Sequence, residues 1–566
     1  MSNPSITLSL LLLISFSAKL SSSRVFLSID CGTSDAYTDQ HSINWVGDAN
    51  YTHTGETHTT DAQIPLWAGT LRAFPKLRKS CYTIPVPVPV GVKILVRAWF
   101  YYGNYDGKSS PPTFALSFDA NMWGEVLTVP MSTDLVYREV IYAVDGDAAS
   151  VCVAQVEEGQ VPFINAIEVR GLDSGMYGNM DSSRALFNVY RSAFDAPGPV
   201  RFPDDIYDRI WLPNNITGGL AFQSDTSMMH VNITDNPPAS VLQNASSTSN
   251  ALQGIVFSFD TFMTYINLYF VEMTKLRSGE KRFIQVFTFD EVTEPFSPPY
   301  QSVREICITN SSGPLSIRPT NDSTLPPIIS AMEVFTISDP LSNGTNAKDV
   351  EALKLLQHQF DALQAWAGDP CLPIYYNWEW VKCSSDQTMP RITSMDLSSM
   401  DLSGVLPDFS AMDALKSIDL HNNSFSGSIP DFFGNFPNLK ELNLADNYFS
   451  GPIPSSLTNN NNITLHFSGN QKLCQSYNCA VSAEKKKKSS GNKIGLIFAI
   501  LVSILFIISI VVVVLLYRRQ KRTAETLQSI YEGNMHGQHH TNARVQEMPM
   551  RATDGQTSSF SFSLYK

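Results

Sequence analysis

The segment Trp99-Phe100-Tyr101-Tyr102-Gly103-Asn104-Tyr105-Asp106-Gly107 gathers the chemistry that sugar recognition needs. Aromatic faces stack on the C–H side of a pyranose, and carboxamides or carboxylates bond its hydroxyls. Tyr101, Tyr102, Asn104, Tyr105 and Asp106 are therefore the candidate ligand contacts. The same residues also read as core aromatics followed by an Asn-Tyr-Asp-Gly hairpin turn. Other clusters carry less. Asp204, Asp205 and Asp208 resemble the paired carboxylates of a glycosidase but come without a nucleophile–base set, and they read as structural. His53, Glu56, His58 and Asp61, in YTHTGETHTT, are metal-ligating types without a ligand spacing. A solvated loop is expected there, and also around His536, His539 and His540. No cofactor, metal site or enzymatic activity is expected.

The aromatic segment closes a strand. Residues 24–338 are rich in Val, Ile, Phe, Tyr and Thr, cut by Gly, Pro, Asn and Asp. Strands are predicted at Lys93–Tyr102, Phe114–Phe118, Tyr137–Ala143, Ile164–Arg170, Tyr265–Glu272 and Phe283–Phe289. The stretch is too long for one sandwich and contains a weak repeat. INAIEV at 164–169 returns as ISAMEV at 329–334, FALSFD at 114–119 as FIQVFTFD at 283–290, and Trp45 as Trp211. The offsets are 165, 171 and 166 residues, which predicts two tandem β modules, 24–175 and 185–340.

A helix follows, with Asn346 as N-cap, Asp349 three residues on, and Val350, Leu353, Leu356, Phe360 and Leu363 at helical spacing. After GDPC (368–371) and Cys383, the frame L-x-x-N-x-L-x-G-x-I-P recurs. Leu397, Leu420 and Leu444 begin units spaced by 23 and 24 residues, with Gly404, Gly427, Gly451 and Pro407, Pro430, Pro454 in phase. This is a leucine-rich repeat. Asn423 and Asn447 fill the asparagine position, Met400 interrupts it, and a partial fourth unit ends at Asn470. So short a solenoid needs capped ends. The helix and first cap span 346–390 and the repeats with their second cap 391–479; Cys371–Cys383 and Cys474–Cys479 are read as the cap disulfides. Cys31, Cys81, Cys152 and Cys307 remain, with three possible pairings. The strand face of the repeat carries Ser394, Asp396, Ser417, Asp419, Glu441 and Asn443, a surface suited to docking another ectodomain or to acting as a spacer.

The ends set the topology. A short apolar run before small residues predicts a signal peptide at 1–23. Residues 480–493 read as a charged stalk. Residues 494–516 form an uncharged 23-residue run, long enough for a membrane-spanning helix. All eight cysteines precede this run. So do nine Asn-x-Ser/Thr acceptors, at Asn50, Asn215, Asn232, Asn244, Asn310, Asn321, Asn343, Asn422 and Asn462. The expectation is a single-pass type I glycoprotein with an extracellular N-terminus and a cytoplasmic, disordered tail at 517–566. A net charge of −13 and the lack of a basic stripe argue against nucleic-acid binding.

FLSIDCG (26–32), FYYGNYDG (100–107), FINAIEVR (163–170) and FPDDIYDRIW (202–211) resemble the plant malectin-like domain. With the helix, GDPC and repeats in order, residues 24–480 resemble ectodomains of malectin-like, leucine-rich-repeat receptor kinases, including the symbiosis receptor kinase group. The resemblance implies a mainly β chain: two tandem malectin-like β-sandwiches, a short capped leucine-rich-repeat solenoid and a single transmembrane helix. In animal malectin, adjacent aromatics at such a strand end contact a disaccharide, which adds weight to Tyr101, Tyr102 and Tyr105; Thr274 and Lys275 stand in the corresponding part of the second module. The tail has no glycine-rich loop, H-R-D-type loop or D-F-G. The expected function is a plasma-membrane receptor-like protein that reads a cell-wall carbohydrate or secreted peptide and acts with a partner receptor kinase through the repeat face. The alternatives are a non-signalling wall-binding or decoy ectodomain, or a truncated receptor kinase product.

Overall fold

The computed structural model describes residues 26–474, apart from 61–64, 125, 132–134, 226–229, 260–262, 290 and 312. The signal peptide, stalk, apolar run and tail expected from the sequence lie outside the described residues. Among the described residues, no helix is long and apolar enough to cross a membrane.

The fold is mainly β, and its strands form where β-branched and aromatic residues cluster. Lys93–Phe100 is buried along nearly its whole length, so it reads as a continuous apolar run rather than an alternation. It ends two residues before the expected boundary. The Tyr101 N–H leaves the ladder for Asn165 Oδ1, 2.7 Å away. The same asparagine splits the strand expected at Ile164–Arg170 into Phe163–Ile164 and Ala166–Gly171. Its Nδ2 donates to the Thr70 carbonyl at 2.9 Å.

One eleven-stranded sheet runs through residues 26–337. In the N-terminal half the order is Phe26–Asp30, Ala166–Gly171, Lys93–Phe100, Val136–Ala143. The C-terminal half repeats it with Leu186–Phe194, Ala331–Ile337, Thr264–Phe270, Arg304–Ser311. The halves join where Val140 pairs with Phe187 and Ile141 with Leu186. The three weak sequence matches fall on corresponding strands or their flanks. Each half packs a smaller sheet over its own apolar core. In the N-terminal half this core holds Ile29, Val96, Phe100, Tyr102, Phe118 and Trp123.

Polar residues that leave the core meet on the opposite face of the large sheet. Arg97, Glu139, Glu168, Arg170, Arg191, Asp208 and Glu333 are buried there and ion-paired. Such a network is costly to desolvate and costly to break on one side.

The helix Ala347–Gln359 starts as expected, with Asn346 Oδ1 accepting from Lys348 N at 3.1 Å. Asp349 does not complete a capping box. Its carboxylate accepts from Arg391 Nε at 2.9 Å and from Ile392 N at 2.8 Å, tying the helix to the first repeat strand. Phe360 ends the helix in an extended conformation, and Leu363 lies in a short 3₁₀ turn.

Parallel strands Ile392–Asp396, Ser417–Asp419, Glu441–Asn443 and Thr464–His466 build the solenoid. Asn423, Asn447 and Asn470 form its ladder. Their Nδ2 groups donate to the carbonyls of Leu397, Leu420 and Leu444 one turn earlier, at 2.8–2.9 Å. Met400, half-buried, packs against the core in place of a rung.

The cysteines divide into three kinds. Cys371–Cys383 is a disulfide, as expected. Cys474 is also disulfide-bonded; its expected partner, Cys479, lies outside the described residues. Of the pairings left open, Cys81–Cys152 forms, and Cys31 and Cys307 are free thiols.

The GDPC loop seats on that bridge. A Cβ at Gly368 would stand 2.5 Å from Cys81 Sγ, and its φ of +73° also favours glycine. Lys79 Nζ donates to the Asp369 and Leu372 carbonyls at 2.6 and 2.8 Å, binding the β half to the cap.

Candidate functional site

The aromatic segment turns sharply after Phe100. Gly103 (φ +50°) lies close enough to Thr60 that a Cβ would sit 2.7 Å from the threonine Cβ. Asn104 (φ +49°) follows in the left-handed region that asparagine tolerates. Tyr101 and Tyr102 are 5% and 2% exposed, so their rings fill the core and do not line a surface. The Tyr102 hydroxyl donates to Asp106 Oδ1, and Ser110 N donates back to it at 3.3 Å. Burial and the bond to Asp106 push the Tyr102 phenol up from its ordinary value. Burial would raise the Asp106 carboxyl, but the Tyr102 and Lys108 bonds prevail and hold it below its ordinary value. Asn104 Oδ1 accepts from Ser109 N at 2.8 Å, closing the loop.

The aromatic ring the loop offers to solvent is Tyr105. Half-buried, it rests on Tyr102 and Phe163, with ring centroids 5.6 and 5.4 Å away, and meets His58 at 5.0 Å. Tyr105 and His58 line a cleft of about 320 Å³ with Gly32, Thr57 and Thr59. Glu56–Thr59 supplies most of that wall as an edge strand of a three-stranded sheet. The cleft thus joins one aromatic ring, one imidazole and two threonines. Of the five expected contacts, Tyr105 lies in the cleft, Asn104 and Asp106 shape its loop, and Tyr101 and Tyr102 brace it from within. The sequence reading missed Gly32, Thr57 and Thr59. The alternation Glu-Thr-His-Thr was the available signal, being that of a half-exposed strand.

The other clusters have structural surroundings. His53 and Glu56 are exposed, His58 packs at a tilt against Tyr105, and Asp61 lies outside the described residues. Among the described residues, no group of three or more metal-ligating side chains comes together. Asp204 is exposed, whereas Asp205 and Asp208 are buried. Asp205 Oδ2 accepts from Arg209 Nε at 2.8 Å, and Asp208 Oδ2 from Arg170 Nη2 at 2.7 Å. Carboxylates so committed have no open side for a substrate. In the C-terminal half the register of Tyr269 with Ala331 matches that of Trp99 with Ala166, so Lys275 takes the place of Tyr105. Thr274 and Lys275 are exposed.

The repeat face is ordered in two rows. Asp396, Asp419, Asn443 and His466 align, as do Ser394, Ser417, Glu441 and Thr464. Asn443 Nδ2 donates to Asp419 Oδ2 at 3.2 Å, and His421 Nδ1 lies 2.8 Å from Asp419 Oδ1. The result is a polar, acidic surface on a rigid backing.

The malectin-like domain family matches residues 29–337, more than half of the chain. The chain belongs to the malectin-like family. Leucine-rich repeats match at 414–436 and 438–460. A putative leucine-rich repeat receptor-like protein kinase of Arabidopsis thaliana is 35% identical over 514 residues, which is 85% of this malectin-like chain and 58% of the relative. An uncharacterized protein of the same plant is 34% identical over 347 residues, covering 59% of this chain and 69% of that one. The chain spans about half the length of most of the receptor-kinase relatives it matches. The crystal structure of the plant receptor-like kinase FER covers 56% of the malectin-like chain and 96% of its own, with 20% identity and a TM-score of 0.48.

Proposed function

We propose that this malectin-like protein is a plasma-membrane, single-pass type I receptor-like protein that reads an extracellular ligand with residues 26–474. The ligand class we favour is a neutral cell-wall carbohydrate, held in the cleft under Tyr105. The arrangement of that cleft carries the reading: one ring face beside the His58 imidazole and the threonine hydroxyls of an edge strand. Glu56 and Asp106 flank it, and its basic neighbour Arg72 is already engaged by Asp48 at 2.6 Å. A uronate would therefore meet carboxylates whose neighbouring cations, Arg72 and Lys108, are already paired with Asp48 and Asp106. The partition into modules at 24–175 and 185–340 and the transmembrane helix at 494–516 belong to the same proposal. So does a partner receptor kinase docked on the Asp396–Asp419–Asn443 row.

The test is a plant-glycan array probed with the full chain in detergent. Selective binding to neutral oligosaccharides, lost in Tyr105→Ala and kept in Lys275→Ala, is the expected result. Binding that is indifferent to Tyr105, or confined to uronates, overturns it. Tyr102→Ala is the wrong probe, because it empties core volume at a side chain that is 2% exposed.

A further inference from the structure

The two halves present the same strand at the same edge, and among the described residues only one of these edges is paired with a further strand. In the N-terminal half, Val136–Ala143 is covered by Leu186–Phe194, which adds to it antiparallel through Val140–Phe187 and Ile141–Leu186. In the C-terminal half, Arg304–Ser311 takes the corresponding place. It pairs with Thr264–Phe270 on one side and, among the described residues, with no strand on the other. Its residues 305–307 are only half-buried, whereas Glu139, Val140, Ile141 and Tyr142 are fully buried. An open edge of this length is a template for strand addition.

The charges indicate what the missing strand carries. A row of alternating charge crosses the sheet: Glu168, Arg97 and Glu139 in register, then Arg191 and Glu333 in register. The step between halves is the ion pair of Arg191 Nη2 with Glu139 Oε1 at 3.0 Å. Thus the strand that docks on the first edge brings an arginine to a carboxylate already there. On the second edge the residue in register with Glu333 and Asn267 is Cys307, and the nearest carboxylate on that strand is Glu305, two residues along on the same face and beside Asp235. Its Oε1 is buried and has no hydrogen-bond donor in direct bonding geometry among the described residues. Neighbouring Arg304 points elsewhere, over the Phe296 ring at 5.6 Å. Burial and neighbouring Asp235 push Glu305 up to about 8 against a hydrogen bond from Tyr269, while Arg209 acts on Asp235.

We propose that the edge of Arg304–Ser311 receives an extended peptide strand from a partner, and that this strand carries an arginine or lysine that pairs with Glu305. The pairing ends before Asn310, whose φ of +58° breaks the extended conformation. This site is separate from the Tyr105 cleft and needs no sugar.

The probe is a synthetic nonapeptide copying Leu186–Phe194, together with two versions in which its arginine is changed, Arg191→Gln and Arg191→Glu. Binding to the full chain in detergent is read by titration and by amide hydrogen exchange over 304–309. The arginine peptide is expected to protect those amides. The Arg191→Glu peptide is expected to bind about tenfold more weakly, as for loss of one charge-assisted hydrogen bond. Glu305→Gln in the protein should erase the difference between peptides. Absence of binding, protection elsewhere, or indifference to the peptide's charge overturns the proposal. Protection that rises with protein concentration alone also overturns it, in favour of a second copy of the chain. The peptide variants leave the protein unaltered, so the outcome does not depend on Glu305→Gln folding.

Discussion

The N-terminal and C-terminal halves of the malectin-like region share a strand order and differ in what is built on it. At the turn after the central strand, Asn165 in the first half bonds the Tyr101 N–H and fixes the loop that carries Tyr105. Ser330 holds the matching position in the second half. Its N–H reaches the Tyr269 carbonyl at 3.0 Å, as that of Asn165 reaches Trp99, but its hydroxyl is buried without a partner. One carboxamide in place of a hydroxyl thus separates a pinned aromatic loop from one ending in Thr274 and Lys275. A second contrast lies on the smaller sheets. The first is clasped by Cys81–Cys152 and covered by the GDPC loop. On the second, Val256 is 64% and nearby Phe289 81% exposed. Among the described residues, one half is thus covered on its smaller sheet and the other is left more exposed.

The comparison can be broken most forcefully in the buried charge row. Arg97→Met removes one of the arginines that neutralise buried Glu139 and Glu168, leaving Arg191 on the first and Arg170 and Arg201 on the second, and is expected to cost about 3–5 kcal/mol. Asn267→Leu, at the matching position, leaves Asp235 Oδ2 without its 2.6 Å donor and should cost about 1–3 kcal/mol. Equal losses in chemical denaturation would mean that the halves do not differ there. Next comes the covered face. Gly368→Val forces a side chain onto the disulfide at positive φ, for about 1–3 kcal/mol or more. Phe289→Ser, on the bare face, should stay within about 0.5 kcal/mol. Thermal melting of the two variants decides this.

The pH response sharpens the contrast, because the two ends of the charge row titrate with opposite sign. Burial alone would raise Glu139 and Glu168, but their arginines prevail and hold both below the ordinary glutamate value. Their contribution is present at neutral pH and is lost as pH falls below that value. Glu305 is raised from 4.5 to about 8, so its penalty is absent below about 4.5 and grows as pH rises toward 8. Asp30 and Asp119, both raised to about 6 by burial, act in the same direction as Glu305. Melting at pH 5 and pH 8 should show the wild type losing stability at the higher pH, and Glu305→Gln losing less. An unchanged slope in the variant would remove Glu305 from the account. The smallest effect expected is that of Lys275→Ala, which should leave both stability and glycan binding unaltered.

The leucine-rich repeat was legible at the level of single residues. Its leucines and asparagines recur at fixed spacing because each turn repeats one local geometry, so pattern and contact coincide. The strands of the β region were legible by composition, with ends misplaced by one or two residues: Asn165 splits Phe163–Ile164 from Ala166–Gly171, Thr264–Phe270 stops two residues before Glu272, and Ile284–Phe287 is shorter than Phe283–Phe289. The candidate site was half legible. The turn at Gly103–Asp106 is local chemistry, whereas exposure of Tyr105 and burial of Tyr101 and Tyr102 depend on strands remote in sequence. The opposite wall, Thr57–Thr59 and Gly32, could not be assigned to Tyr105 from any spacing.

The amino-acid sequence by itself determined the class of the chain: a β region with a faint internal repeat, an Asn-capped helix, a capped solenoid and the family to which they belong. Each of these rests on residues a few to a few tens of positions apart. The tertiary structure alone decided that the two halves share one sheet, that Cys81 pairs with Cys152, and that Asp205 and Asp208 anchor buried arginines. It also decided which edge, among the described residues, is paired and which is not. Those facts depend on which long-range partners win the competition to cover apolar surface and neutralise buried charge, and the order of residues along the chain does not record the outcome.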